Sequence, residues 1–594
     1  MSLFALFGCQ GLVRGVGQLT VNIAGAGQGT VTSNPPGISC PPTCTATFKG
    51  ISQVTLTATP LTGTGWGFGF GGWSVPTGVA SGGTGTCTGT TNPCNVSNTA
   101  TLNADFTASL QSINHIIFLA QENRSFDSYF GALRQYWAQN GIPDQSFDGL
   151  PQFNPASGAA PNQGPAPTNP GCNPTTSTPL VCHADPASGD VGPPVQMQHF
   201  TTMCVENPSP SWNESHADWN ASDPVAPPPP TLDGFVRAAA NDARQIVPPM
   251  MDVAGQRAMD YYDGGDLNYY YFLASNFATS DRWFAPVMTR TPPNREYLIG
   301  GTSHGYVYPI GANANDMALI PKPPIFQELD NAGITWKIYV NPVGTTCGTS
   351  NPSSSCLYQY TYVKNFTYGN TILNTPSLLQ NIVPISQFTT DVQNGTLPQV
   401  AQIEPASNAG LDEHPSDADV VPPCCSTQAG AAYVESLINP LLSSSSWSTS
   451  IFILTFDESG GFYDHVAPQP AVTPDGIAPS DLFPGDTCSP GGASGPNCDF
   501  VFTGYRVPMI VISPYTKKNY VSHAANADGT GVDNTAILKL IETRFGLSSL
   551  TARDADQIDM SQEFLDFTNA PWKTPPANVP AQNTSGPCYL DHLP

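Results

Sequence analysis

The chain has 594 residues and a net charge of −25, from 20 Lys and Arg against 45 Asp and Glu, and a surface this acidic argues against nucleic-acid binding. Only 11% of residues are charged while Gly (55) and Pro (60) are abundant, which excludes coiled coils and helical bundles and predicts long, turn-rich loops. Hydrophobic residues at 40% supply a sizeable core, enough for one large catalytic domain plus an accessory module. No stretch reaches the roughly 18 apolar residues that span a bilayer.

In chain order, residues 1–17 read as the remnant of a leader. Leu3 to Cys9 resembles the end of a bacterial lipoprotein signal, in which Cys9 would be lipidated; a truncated ordinary signal or a cloning remnant is the other reading. Residues 18–108 form an island with two charged side chains, Lys49 and Asp105. Period-two alternation recurs at Leu19–Ile23, Val54–Ala58 and Leu102–Phe106, which predicts short antiparallel strands. The pieces Gly27–Val31, Cys40–Cys44, Val54–Pro60 and Gly72–Ser74 resemble divergent internalin-type B-repeat modules of bacterial surface proteins, which implies a spacer or stalk with no chemistry of its own.

From residue 109 to 594 the texture changes. Apolar runs at Ile113–Ala120, Ile334–Val340, Ile451–Phe456 and Val507–Ile512 read as strands of a parallel sheet covered on both faces. Helical periodicity at Gly430–Leu442 and Asn534–Phe545 alternates with them, Asp533 standing where it would cap the second helix, so the expected class is α/β. The stretches Pro151–Pro194, Pro224–Pro230 and Thr345–Ser355 read as surface loops. Fifteen cysteines suit an oxidising compartment, and the local pairs Cys40/Cys44, Cys87/Cys94, Cys172/Cys182, Cys347/Cys356 and Cys488/Cys498 flank loop sequence of the kind a small disulfide ring pins. Cys204, Cys424, Cys425 and Cys588 remain for longer links.

Two of the apolar runs break into acids, one into Gln121-Glu122-Asn123-Arg124-Ser125-Phe126-Asp127, the other into Asp457-Glu458-Ser459-Gly460-Gly461-Phe462-Tyr463-Asp464-His465. Functional groups in α/β sheets gather beyond the carboxyl ends of strands. Glu122, Asn123, Asp457 and Glu458 there offer oxygen ligands to a hard divalent cation. These two motifs, in this order, resemble the bacterial phosphoesterase family of phospholipases C and related acid phosphatases, and further matching stretches (Trp212–Val236, Thr289–Ser303, Glu413-His414-Pro415, Arg506–Arg553) extend over nearly all of the chain after Ser112.

The resemblance implies an alkaline-phosphatase-like α/β core, a parallel-sheet sandwich, carrying one divalent metal ion (Ca, Mg, Mn or Fe) on Glu122, Asn123, Thr291, Asp457 and Glu458. It places the nucleophile at Thr291, two residues before Pro293-Asn294, although Thr289-Arg290 stands where the family commonly has Gly-Pro. It also implies catalytic roles for His414, His216 and His465, and substrate contacts from Asn294, Arg295 and Asp464. Pro210 occupies a place that is usually His in the motif around His216, and His304 is left without a role. The expected function is a secreted or cell-surface bacterial hydrolase acting on a phospholipid or small phosphate ester through a phosphothreonine. Phospholipase C is the first choice, acid phosphatase the second, and an adhesin with an inactive enzyme-like domain the alternative from another class.

Overall fold

The computed structural model describes residues 16–77, 79, 85–156, 163–173, 182, 191–246, 250–313, 318–341, 347, 352–416, 425–489 and 495–590. Cys9, with most of the expected leader, and Cys424 lie outside them. The chain divides into two compact units, Met1–Asn114 with Asp566–Lys573, and His115–Leu565 with Thr574–Pro594.

In the first unit, alternation produces two four-stranded sheets. One runs Thr45–Thr47, Gln18–Ala24, Ala100–Thr107, Gly69–Ser74, the other Ser39–Cys40, Gly29–Asn34, Val54–Pro60, Cys94–Val96. Every second residue points inward, so Val54, Leu56 and Ala58 from one sheet join Leu102, Ala104 and Phe106 from the other in one apolar core. The expectation of antiparallel pairing fails at one place: Gln18–Ala24 and Ala100–Thr107 run parallel, with Leu19 opposite Ala100. Alternation reports which face is buried and carries nothing about strand direction. The C-terminal segment of this unit is tied in by Lys573, whose Nζ donates to the carbonyls of Gly25 (2.8 Å) and Gly27 (3.0 Å).

The second unit is built on an eight-stranded sheet. In chain order its strands are β1 (His115–Gln121), β2 (Ala278–Ser280), β3 (Trp336–Val340), β4 (Ile382–Pro384), β5 (Val400–Ile403), β6 (Ser450–Phe456), β7 (Met509–Ile512) and β8 (Tyr520–Ser522). They lie side by side in the order β4-β3-β5-β1-β6-β7-β2-β8. All neighbours are parallel except β7, which runs antiparallel to both β6 and β2. Every residue of β1 and β6 is buried, which requires cover on both faces and explains why these strands read as unbroken apolar runs. Helix Thr427–Leu442 packs against Ile385–Asn394 and Asn268–Asn276, while Ala536–Phe545 packs against Thr291–Gly300. Asp533 Oδ1 accepts the Thr535 N–H (2.8 Å) one residue ahead of the latter helix, and its Oδ2 pairs with Arg553.

The five local cysteine pairs are disulfides, and Cys204 is bonded to Cys588 across 384 residues. Within the loop expected over 151–194, two strands, Thr168–Cys172 and Val191–Gln196, pair as an antiparallel ladder. Prolines at 170, 193 and 194 masked that ladder in the sequence.

Phe452, fully buried in β6 between Ile117 of β1 and Ile512 of β7, tests the weight of this core. Phe452→Ala is expected to cost roughly 3–5 kcal/mol, read as a lower urea midpoint. A loss under about 1 kcal/mol would show that the sheet centre collapses around the cavity and does not set stability.

Candidate active site

β1 and β6 are parallel neighbours with Gln121 opposite Phe456, so the residues that follow each strand emerge side by side. The Asp457 N–H donates to the Gln121 carbonyl (3.0 Å) and extends the ladder by one step. Beyond it the Asp457 side chain takes over: its Oδ1 accepts from the backbone N–H of Asn123 (3.0 Å) and of Glu458 (2.8 Å). Asn123 sits at φ +58°, in the left-handed region that Asn tolerates. Gly460, at φ +71°, passes so close that a Cβ there would lie 2.4 Å from the Asn123 carbonyl. Gly460 of the second motif is therefore a packing requirement of the first, while Gly461 leaves room for the Ser209 carbonyl.

Thr291 opens helix Thr291–Gly300, and its Oγ1 donates to Glu122 Oε2 at 2.9 Å, with Asn123 Oδ1 at 3.3 Å. Glu122, Asn123, Thr291, Asp457 and Glu458 thus converge. Arg295, one helical turn after Thr291, donates to Glu122 Oε1 (2.8 Å) and lies 3.5 Å from Asp457 Oδ2. That single guanidinium does not balance the acids. Burial, then the Asp457 carboxylate, holds both Glu122 and Glu458 well above the usual carboxylate range. Among the described residues, Asp457 Oδ2 and Glu458 Oε1 are buried with no hydrogen-bond partner. Clustered oxygen donors, excess negative charge and orphaned buried carboxylate oxygens fit a hard divalent cation.

His414 faces the same place. It lines two cavities with Thr291, one of about 480 Å³ that includes Asn123 and Arg290, one of about 620 Å³ that includes Glu122 and Asp412. Its backbone N–H donates to Asp412 Oδ1 (3.3 Å) and its Nδ1 lies 2.5 Å from the Pro415 carbonyl. Nε2 makes no hydrogen bond among the described residues. Glu413 beside it is locked in place: φ is +70°, and its carboxylate accepts from Tyr129 (2.7 Å), Gln121 (3.1 Å) and Tyr270. Burial pushes that carboxyl up to about 7.

The model of the Phosphoesterase family matches residues 113–548, which span every one of these groups. The chain belongs to this family. It is 29% identical over 480 residues to phospholipase C B of Mycobacterium tuberculosis, covering 77% of this chain and 78% of that protein. To non-specific phospholipase C4 of Arabidopsis thaliana it is 28% identical over 459 residues, covering 75% and 70%. Among solved structures, a protein of the alkaline phosphatase superfamily from Vibrio parahaemolyticus superposes on 50% of this chain and 65% of that one, at 13% identity and a TM-score of 0.27. That superposition is loose, and the α/β architecture rests on the strand order described above. This phosphoesterase is a hydrolase of phosphoric esters. Among its described residues no helix is long and apolar enough to cross a membrane.

Several other expected site residues of the phosphoesterase line neither of these two cavities. His216 is fully buried, with Nδ1 2.7 Å from the Trp212 carbonyl and Nε2 3.2 Å from that of Asn497. Both ring nitrogens face backbone, and the residue lines neither cavity. Asn294 is equally buried: it accepts from Val287 N–H and donates to the carbonyls of Thr289 and Arg290, bracing the turn that presents Thr291. Arg295 is spent on Glu122 and Asp457. Asp464 and His465 belong to another network, in which Arg506 pairs with Asp127 (3.0 Å) and Asp464 (2.8 Å) while His465 lies between Asp127 (2.6 Å) and Asp148 (3.0 Å). Ligand atoms of Asp127, Asp464 and His465 do lie within 4.8 Å of one another, as do those of His199, Asp263 and Asp266. The buried Arg506 already supplies the first cluster's positive charge, which disfavours a cation there. Of the other cavity groups, Arg290 was visible in the sequence only as a departure from Gly-Pro, and Asp412 and Tyr362, both on the wall of the larger cavity, had no signal at all.

The His465 network sets a pH dependence. Burial opposes its charge, but Asp127 and Asp148 outweigh burial and push its pKa up to about 10. An unfolded imidazole titrates near 6.5, so folding takes up a proton in the interval between. The stability contributed by His465 is complete below about pH 6.5 and lost as pH rises to about 10. Urea midpoints of wild type and His465→Gln should therefore converge across that range; a gap that stays constant with pH would show that the imidazolium is not paired.

Proposed function

We propose that this phosphoesterase is a metal-dependent hydrolase of the phospholipase C type, working outside the bacterial cytoplasm through a phosphothreonine on Thr291. The observation that carries the reading is the Thr291 hydroxyl, 2.9 Å from Glu122 at the start of a helix, with the oxygen donors of Asn123, Asp457 and Glu458 around it and His414 lining the same cavity. The relatives named as phospholipases C support the substrate class. Six disulfides among the described residues support an oxidising compartment.

A divalent cation (Ca, Mg, Mn or Fe) would be held by Glu122, Asn123, Thr291, Asp457 and Glu458. When bound it neutralises phosphoryl oxygens and lowers the pKa of a coordinated hydroxyl. The protein does the rest. Asp457 positions Asn123 and Glu458 through their backbone N–H groups, and Arg295 steadies Glu122. Thr291 Oγ1 gives its proton to Glu122 Oε2, to which it already donates, and attacks phosphorus, forming a P–O bond to threonine as the ester P–O bond breaks. His414 Nε2 protonates the departing alcohol. Water then attacks the phosphothreonine, regenerating the hydroxyl and releasing a phosphorylated head group or phosphate.

Thr291→Val removes the nucleophile and keeps the shape, so turnover of a soluble ester should fall by about 10³-fold or more. Thr291→Ser should retain part of it, and acid-quenched wild type should carry phosphate on the peptide containing Thr291. Near-normal turnover in the valine variant would sink the assignment. The ligand set is tested by elemental analysis, independently of rate: Glu122→Gln and Asp457→Asn should each lose bound metal, and full occupancy in both variants would remove these residues from it.

A further inference from the structure

β5 ends at Ile403, and the next residue is Glu404. β5 is the parallel neighbour of β1 on the side away from β6, with Ile403 opposite Leu119. Glu404 therefore emerges at the same edge of the sheet as the two acidic turns. The Thr291 chemistry makes no use of it. The residue is 1% exposed; its Oε1 accepts the Tyr362 N–H (3.2 Å), while Oε2 is buried with no hydrogen-bond partner among the described residues. Burial pushes the carboxyl up to about 7, against the pull of Arg295, whose own hydrogen bonds go to Glu122 and the Gln121 carbonyl. A buried carboxylate oxygen without a donor costs stability until a ligand supplies one.

Glu404 lines a third cavity, of about 370 Å³, at the carboxyl ends of β3 and β5, where Asn341 and Glu404 follow the two strands. It adjoins the catalytic space. Pro292, next to Thr291, is also on the wall of the 480 Å³ cavity, and Tyr362 is also on the wall of the 620 Å³ cavity that holds Glu122 and Thr291. The charged groups of the third wall are Glu404 and Lys364. They form no ion pair with each other; Lys364 Nζ donates to the Gln359 carbonyl instead. Tyr360 and Tyr362 line the cavity as well, and the Arg295 guanidinium already lies over the Tyr362 ring at 5.7 Å.

We infer that this cavity is a head-group subsite in which the Glu404 carboxylate selects phosphodiesters bearing a primary ammonium, as in ethanolamine and serine head groups, over the quaternary ammonium of choline. The inference rests on the proposed Thr291 chemistry and names the head group it serves. A primary ammonium brings N–H donors and charge to the orphaned oxygen. A quaternary ammonium has no N–H and leaves that oxygen unsatisfied. Nor do two tyrosines, one already covered by Arg295, make the aromatic cage that receives such a group. A hydroxyl head group donates its bond without the charge. Because Lys364 offsets Glu404, the wall has no net charge to draw a cation, and the hydrogen bond is what discriminates. In the reaction the Thr291 Oγ1–P bond forms, the P–O bond to diacylglycerol breaks, and diacylglycerol leaves with a proton. The head group stays on phosphorus until water releases it as its phosphate ester, so a subsite beside Thr291 holds it through both steps.

The test uses the full chain at pH 8 with dihexanoyl lipids below their micelle concentration, so that no lipid surface enters the comparison. In wild type, kcat/KM for the better of the ethanolamine and serine lipids should exceed that for the choline and glycerol lipids by at least about tenfold, the weight of one charge-assisted hydrogen bond. A smaller margin overturns the inference. The serine lipid should lead if Lys364 takes its carboxylate, and the ethanolamine lipid if it does not. Glu404→Gln keeps the shape and removes the charge, so the amine-to-choline ratio should fall about tenfold or more; an unchanged ratio overturns the inference. Calorimetry gives a readout without turnover: phosphorylethanolamine or phosphorylserine should bind wild type at least about tenfold more tightly than phosphorylcholine. Equal affinities overturn the inference, and this arm stays readable even if Thr291→Val shows that Thr291 is not the nucleophile. Both wild-type margins need no variant, so they decide the matter should Glu404→Gln fail to fold.

Discussion

The site depends on one constraint, the parallel pairing of β1 with β6 in a register that sets Gln121 against Phe456. That pairing delivers two acidic turns to the same point, and the Asp457 carboxylate joins them by accepting one backbone N–H from each side. A shift of one residue would turn every side chain of a strand to the opposite face. Both strands are buried throughout, so the packing cost of such a slip falls on the whole sheet. The stability of the core and the geometry of the acidic cluster are therefore the same physical fact.

Around this point the chain arranges its scarce cations in two ways. Arg506 is enclosed by Asp127, Asp464 and the neighbouring His465, in a network that ties the first motif to the second from behind. Buried pairs of this kind gain little net stability against an apolar alternative, but removing one partner strands the other. Arg295 plays a lesser version of that role, because it meets two of the site's carboxylates and leaves negative charge unbalanced. The imbalance matters: a fully compensated cluster has no use for a cation, whereas buried carboxylate oxygens without partners do. Arg290 completes the gradation: it lines the cavity and, among the described residues, forms no ion pair with an acid.

Much of this was legible before folding was considered. The continuous apolar runs announced β1 and β6, and the acids after them announced the acidic cluster, since buried strands and strand-end acids leave a local signature. The helix ending at Phe545 was visible for the same reason. The short strands Ala278–Ser280, Ile382–Pro384 and Tyr520–Ser522 were not, because three residues are too few to show any period. Nor was the reversed direction of β7, which its composition does not encode. The proline-rich ladder at 168–196 was hidden by residues that ordinarily argue against strands.

The sequence by itself determined the fold class and the chemical inventory: a threonine hydroxyl, carboxylates and histidines, each at a position its motif made recognisable. Tertiary structure decided which of them share a space. Asn123 and the carboxylate that holds its N–H are 334 residues apart, and no local pattern specifies a contact of that span. The same distance separates residue type from role. His216 and His414 are the same side chain, yet one has both nitrogens against backbone carbonyls and the other has Nδ1 against a carbonyl and no hydrogen bond at Nε2 among the described residues. Asn294 and Asp464 look equally suited to substrate, and both are fully buried in internal hydrogen bonds. Whether a polar atom meets a cavity or its own chain is settled by what packs around it, and that is a property of the folded molecule alone.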